Sequence, residues 1–357
     1  MFAATFLLNS RPERACQKKP SAYNMTDQSS RNGDQTMNEQ RSSRRRFLQS
    51  AAAGSAALCV GGLSLPGSVA ANESKPEPAK VGISFSLYGM RSLKLADAMK
   101  ACSDIGYDGV ELDSGRGQSG DPAKLSAGDR RDVRKQFQDL GLNLPCLMEN
   151  MPLLTTDARH RQNLDRLKAV GELGHDLSPA APPIIETILG SRADRWENEK
   201  DKMAATLEDW AKAAEASKTV IAFKAHVGGA LHTPEGAKWL VDRVDNRWIR
   251  LNYDFSHFQL RDFDLEKSLS LLIDKTVFIH VKDNKGRLGN FRFLLPGEGD
   301  IDYVTYFRLL KQARYRGTVC VEVSGQIHGK PGYDPVAAAK TSYANLAPQL
   351  TKVKLRG

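Results

Sequence analysis

Cysteine is scarce in this chain: five residues among 357, with no C-x-x-C pair. That excludes a disulfide-stapled scaffold and a zinc knuckle. Cys16 and Cys59 fall in a segment expected to be removed, and Cys102, Cys146 and Cys320 stand alone in apolar surroundings, as reduced core residues do. A glycine-rich phosphate turn is also missing. Ser86-Leu-Tyr-Gly89 follows the first strand pattern, which counts against an open dinucleotide-binding sheet. No strongly apolar run is long enough to make a convincing membrane span; the uncharged stretch Ser50 to Asn72 is mostly Ala, Gly, Leu and Val. Excess positive charge is largely absent from the body. Nine Lys/Arg against four Asp/Glu in residues 1–50 supply +5 of the net +9, so the other 307 residues carry only +4 and nucleic acid is not an expected partner.

What is present begins with a leader. Residues 1–42 are polar and are expected to remain disordered. Ser43-Arg44-Arg45-Arg46-Phe47-Leu48-Gln49 then precedes the uncharged stretch. A charged region, a mild apolar region and a small-residue end make an export signal, and the Arg-Arg pair before Phe-Leu resembles the twin-arginine motif. Ser68-Val69-Ala70 and Val69-Ala70-Ala71 are the candidate cleavage boundaries, with Met25 or Met37 the expected start. Export to the periplasm by the twin-arginine translocation machinery follows. That route carries folded proteins, which suits an enzyme that must load a metal first. The expected division is leader and signal over 1–72, a linker over 73–80, the folded body over 81–350 and a short tail over 351–357.

The body alternates strand and helix patterns. Strands are expected at Val81–Ser86, Gly109–Leu112, Asn143–Met148, Pro183–Thr187, Val220–His226, Trp248–Tyr253, Thr276–Ile279 and Thr318–Val323. Amphipathic helices are expected between them, among them Leu93–Ile105 stopped by Gly106, Glu197–Ser217, and one opened by Thr233-Pro234-Glu235, where threonine caps and proline takes the first turn. Eight strand-helix units with no spare strands is the count of a closed (β/α)8 barrel, an α/β fold.

In such a barrel all strand ends face one mouth. Glu111, Glu149, Glu186, Lys224, His226, Asp254, His257, His280, Lys282, Asp283 and Glu322 would gather there. Asp254, His280 and Glu322, from strands six to eight, offer hard oxygen and borderline nitrogen, a set for Mn, Mg, Co or Zn. Each has a plainer alternative, as a rim residue or an ion-pair partner. Lys282 and Asp283 also read as a rim ion pair. The loop Leu295-Pro-Gly297-Glu298-Gly299-Asp300 either wraps a substrate or only turns the chain into the next helix.

Tyr253-Asp-Phe-Ser-His257, Ile279-His-Val-Lys-Asp283, Pro296-Gly-Glu-Gly-Asp-Ile-Asp302 and Cys320-Val-Glu322, in this order, resemble the xylose-isomerase-like TIM-barrel superfamily of sugar isomerases and epimerases. The resemblance covers about Val81 to Leu350. It implies one divalent metal held by Glu, Asp, His and Glu from strands five to eight, the last three being Asp254, His280 and Glu322 here. The first does not carry over, because Lys224-Ala-His226 stands where the family has Glu-x-His. Either His226 or Glu186 completes the shell, or a neutral Lys224 acts as base, or the chemistry has drifted. The endonuclease branch of the superfamily fits less well, since Asn290-Phe-Arg-Phe replaces its Asp-x-His pair and strands two and three carry no histidine.

The resemblance implies a sugar substrate whose proton next to a carbonyl is removed by Glu322 or Glu186, through an enediolate. Lys224, His226 or His257 would serve as the second acid/base, and His257, Lys282, Glu298 and Glu111 would hold substrate. Epimerisation, isomerisation and loss of a β-substituent share that first step. A non-catalytic carbohydrate-binding barrel is the reading from a different class. The sequence does not name the sugar or the oligomeric state.

Overall fold

The computed structural model describes residues 80–356. The expected leader, the twin-arginine signal and all but the last residue of the linker lie outside the described residues. Eight parallel strands close a barrel: β1 (Gly82–Ser86), β2 (Gly109–Asp113), β3 (Asn143–Met148), β4 (Ile184–Ile188), β5 (Ile221–Lys224), β6 (Ile249–Tyr253), β7 (Thr276–Val281) and β10 (Thr318–Val321), with β1 pairing both β2 and β10. This is the expected α/β barrel.

The helices form where local chemistry asks for them. In α2 (Ala127–Asp139) Ser126 and Asp129 make a reciprocal capping box. Thr233 caps α5 (Pro234–Val244) with proline in the first turn, and Asp302 caps α8 (Tyr303–Gln312). Gly106, in the left-handed conformation, ends α1 (Leu95–Ile105) as expected.

Strand alternation separates two interiors. One set of alternate strand residues, among them Phe85, Val110, Phe223, Leu251, Ile279 and Val321, joins the large core packed with the helices. The intervening ones face the barrel axis, where the apolar cluster is small: Cys146, Phe278, Cys320 and Ile184. Ser84, Glu111, Glu186, Lys224, Asn252 and His280 are buried too. A barrel axis this polar stays folded only if its members satisfy one another. Cys102, Cys146 and Cys320 are free and buried, as read; burial lifts the Cys102 thiol to about 12, so it remains protonated.

The expectation of no spare strands fails at one place. β8 (Asp283–Arg287) and β9 (Asn290–Leu294) form an antiparallel hairpin after β7, turning at Leu288-Gly289 with Gly289 at φ 96°. Lys285, Arg287 and Arg292 hide its alternation from a hydrophobicity reading. A short helix α6 (Phe255–Gln259) also follows β6, and another, α9 (Gly325–His328), follows β10. The last helix, α10 (Pro335–Lys352), runs into residues expected to be a tail; Leu355 is buried and Arg356 pairs with Asp108. No helix among the described residues is long and apolar enough to cross a membrane.

Candidate active site

Period-two alternation sends Lys224 from β5, Asn252 from β6 and Asp254 just past it, His280 from β7 and Lys282 just past it, and Glu322 just past β10 to the same end of the axis. Lys224 Nζ lies 2.8 Å from His280 Nδ1, 2.9 Å from Glu322 Oε2 and 3.8 Å from Asp254 Oδ2. Lys282 Nζ donates to both Asp254 Oδ2 and Glu322 Oε2. Two carboxylates thus share two ammonium groups out of water. Asp254 Oδ1 is occupied differently, accepting from the backbone and hydroxyl of Ser256 at the start of α6.

Charge is set by this packing. Burial opposes an ammonium at Lys224, but Glu322, Glu186 and Asp254 outweigh it and raise its pKa above the ordinary value. Lys224 is held here as an ammonium rather than as the neutral base that the resemblance left open. Burial likewise opposes ionisation of Glu322, and chiefly Lys224 and Lys282 reverse that, holding its carboxyl well below the usual range. At His280, burial disfavours the cation while Glu111 draws the pKa up to about 9. The geometry opposes a second ring proton: Lys224 and Asn252 (3.2 Å) both direct donors at Nδ1, so that nitrogen accepts and the proton sits on Nε2, 2.9 Å from Glu111. We assign the neutral ring, because an N–H at Nδ1 would face two donors.

A cavity of about 110 Å³ opens above the cluster, lined by Tyr88, Asn150, Ile188, Lys224, His226, His257, Lys282, Phe293, Glu322, Ser324 and Gly325. Among the carboxylates expected at the mouth, only Glu322 lines it. Glu186 is fully buried below, with Oε2 on Asn252 at 3.1 Å and Oε1 unpartnered. Glu111 is equally buried and holds His280 rather than substrate. Both were read one layer too high in the barrel.

His226 does line the cavity, in the loop after β5. Burial first, then Lys224 and Lys282, lower its pKa to about 4, so the ring is neutral; Nδ1 accepts from Gly228 N–H at 3.3 Å, leaving Nε2 as donor. His257 stacks on it with ring centroids 4.3 Å apart. Its Nδ1 accepts from Val227 N–H at 3.3 Å and Nε2 faces Asp254 at 3.5 Å, so it positions that aspartate.

Glu298 is exposed, accepts from Leu295 N–H at 3.2 Å and does not line the cavity. The loop it belongs to wraps a carboxylate of the chain itself. Asp283, buried, accepts from Gly297 N–H at 3.0 Å and Ile301 N–H at 3.1 Å. It is not the rim partner of Lys282. Glu149 belongs to a separate buried network in which Arg166 bridges it (2.9 Å) to Asp121 (2.7 Å).

Tyr88, Asn150, Phe293 and Ser324 were missed by sequence reasoning. Tyr88 and Asn150 directly follow strand patterns, which was signal enough; Phe293 sits on the hairpin. Its ring is 5.4 Å from Lys282 Nζ and 5.4 Å from the His257 ring.

Asp254, His280 and Glu322 each offer an atom within 4.8 Å of the others, so the expected ligand set does assemble. It is not free to receive a divalent ion as it stands. Metal–ligand distances of about 2.0–2.3 Å would put the ion against Lys224 Nζ, a like charge already bonded to two of the three donors. With Lys224 here the set does not fit the metal the resemblance implied.

Residues 99–347 match the model of the family described as the xylose isomerase-like TIM barrel. An inosose dehydratase of Lactiplantibacillus plantarum is 26% identical over 203 residues, 50% of this chain and 65% of that protein. An L-ribulose-5-phosphate 3-epimerase of Shigella flexneri is 31% identical over 104 residues, 29% of this chain and 36% of that one. The chain spans less than two thirds of either relative. The crystal structure of IolI with a bound zinc atom superposes with a TM-score of 0.64 at 20% identity, covering 76% of this chain and 99% of that one, a likeness of fold.

Proposed function

This chain belongs to the xylose isomerase-like TIM barrel family, and on that premise we propose that it moves a proton at the carbon next to the carbonyl of a keto-sugar or related polyol. One observation carries the reading. Glu322 is an ionised carboxylate at the cavity wall, and its Oε2 is held by two ammonium groups that line the same cavity.

Glu322 Oε1, with no hydrogen-bond partner among the described residues, takes the carbon-bound proton. The electron pair moves onto the carbonyl oxygen. Lys224 and Lys282 each use two N–H groups on the cluster, and the third of each stabilises the enediolate. Neutral His226 donates from Nε2 to the neighbouring oxygen, as an imidazole with a lowered pKa can. Return of the proton to the same carbon gives epimerisation and to the adjacent carbon gives isomerisation. Departure of a β-hydroxyl, protonated as it leaves, gives dehydration. The relatives named as an inosose dehydratase and a ribulose-phosphate epimerase support both outcomes.

The Arg44-Arg45 segment supports export and hence an unphosphorylated sugar; cell fractionation tests that part. The chemistry is tested by incubating the protein in heavy water with a panel of keto-sugars and inososes, followed by NMR. Deuterium entering next to the carbonyl is the expected result. Sugar binding without exchange would make the barrel a carbohydrate-binding protein.

A further inference from the structure

We propose that the ammonium of Lys224 is the resident cation of this barrel and takes the place of a divalent metal. The proposal deepens the keto-sugar reading and rests on it for the use to which the cation is put. Its ground is position. Lys224 Nζ lies among Asp254 Oδ2, His280 Nδ1 and Glu322 Oε2, 3.8, 2.8 and 2.9 Å from them. These are the atoms a metal would need.

The substitution acts twice. A lysine where a carboxylate would complete the donor set removes one ligand and brings a positive charge on a tether long enough to reach the centre. Lys282 contributes the second charge, bridging Asp254 and Glu322. Two ammonium groups then balance two carboxylates, with the Lys224, Lys282 and Asp254 side chains 2%, 3% and 0% exposed. A dication added to that set would leave a surplus of two positive charges out of water, a cost that buried ion clusters do not bear. It would first have to displace Lys224 from its hydrogen bonds.

A fixed ammonium can also do what the chemistry asks of the cation. It presents an N–H toward a developing oxyanion and needs no coordination change as charge grows. Unlike a metal, it cannot be stripped by a chelator.

The test is metal analysis of the full-length protein, purified without chelator and then dialysed against Mn, Co and Zn in turn. Proton exchange is measured in parallel, in heavy water, with and without EDTA. Sub-stoichiometric metal throughout, with exchange unchanged by EDTA, is the expected result. Lys224→Glu, which restores a Glu/Asp/His/Glu donor set, is expected to take up about one ion per chain. Lys224→Gln serves as a milder second variant, expected to bind metal more weakly than Lys224→Glu and more tightly than the wild type. One tightly held ion per wild-type chain, lost in His280→Ala, overturns the proposal even if exchange is seen. So does a folded Lys224→Glu that takes up none. A metal-free wild type with no exchange on any keto-sugar leaves the cation assignment standing and removes the keto-sugar reading instead.

Discussion

Lys224 donates to His280 Nδ1 at 2.8 Å, and the far side of the same ring faces Glu111 at 2.9 Å. The imidazole therefore spans from the charged layer at the mouth to a carboxylate sealed in the barrel axis. Glu111 has no Lys or Arg within salt-bridge distance among the described residues, and its Oε1 is unpartnered.

Removing the ring should cost more than its own packing. His280→Ala leaves Glu111 a buried carboxylate without its partner and takes an acceptor from Lys224. A loss of roughly 3 kcal/mol or more is expected when a buried charged group loses its hydrogen-bond donor. Urea unfolding followed by circular dichroism measures it; a loss below about 1 kcal/mol would mean that the Glu111 contact is not made in solution.

Glu322→Gln keeps the shape of the side chain and removes the proposed base. Exchange of the substrate proton with solvent should fall by roughly 10²–10⁴-fold, the usual yield of a positioned acid/base group. Glu186→Gln, one layer below, is expected to leave exchange within a few-fold of wild type. NMR-monitored deuterium uptake separates the two, and the reverse ranking would move the base to Glu186.

His226 links stability to pH. Its folded pKa of about 4 is below the 6.5 of the free side chain, so between these values the unfolded chain binds more protons than the folded one. Stability should thus fall as pH drops from about 6.5 to 4, this residue alone contributing on the order of 3 kcal/mol at the acid end. His257, whose pKa is also lowered by burial and by Lys282, adds to the same slope. His226→Asn should flatten the slope without abolishing it, as read from urea midpoints across that range.

Gly299 allows the loop before α8 to close on Asp283. A Cβ there would collide with the Asn284 carbonyl oxygen and the Asp283 carboxylate. Gly299→Ala should destabilise the protein by roughly 1–3 kcal/mol, as overpacking does, while Gly289→Ala, at the hairpin tip with nothing near a Cβ, costs only the strain of its positive φ. Thermal melts of the pair test the contrast.

Phe293 covers the cavity from the hairpin. Phe293→Ala removes one wall and a ring face near the Lys282 ammonium, and KM should rise about tenfold with kcat changed less, in keeping with a cation–π contact plus lost packing. Equal falls in kcat and kcat/KM would instead place the ring in the transition-state contacts.

Much of the barrel could be read from alternation and capping because both are local. The eight strands, the cap at Thr233 and the stop at Gly106 need no tertiary information. Asp254, His280 and Glu322 could be brought together because strand ends converge. Depth could not be read: Glu111, Glu186 and Glu322 all follow the same inward pattern, and only the stagger between strands decides which reaches the cavity. The direction of Asp283 was equally hidden, since its partners are backbone N–H groups of a loop that any sequence supplies. The hairpin escaped because its charged residues mask a two-residue period that only Phe291 and Phe293 betray.

Lys282 and Asp283 are consecutive, yet the first reaches into the cavity while the second anchors residues 297–301. One peptide plane therefore ties the aim of a cavity-facing cation to the fit of a surface loop some fifteen residues further on. Grafting a longer or shorter loop at 295–301 would twist that plane and swing the ammonium off its target. In this barrel, loop length is a tuning screw for the site, and chimeras that exchange this loop should differ in which oxygen of the sugar they prefer, even with every cavity residue kept.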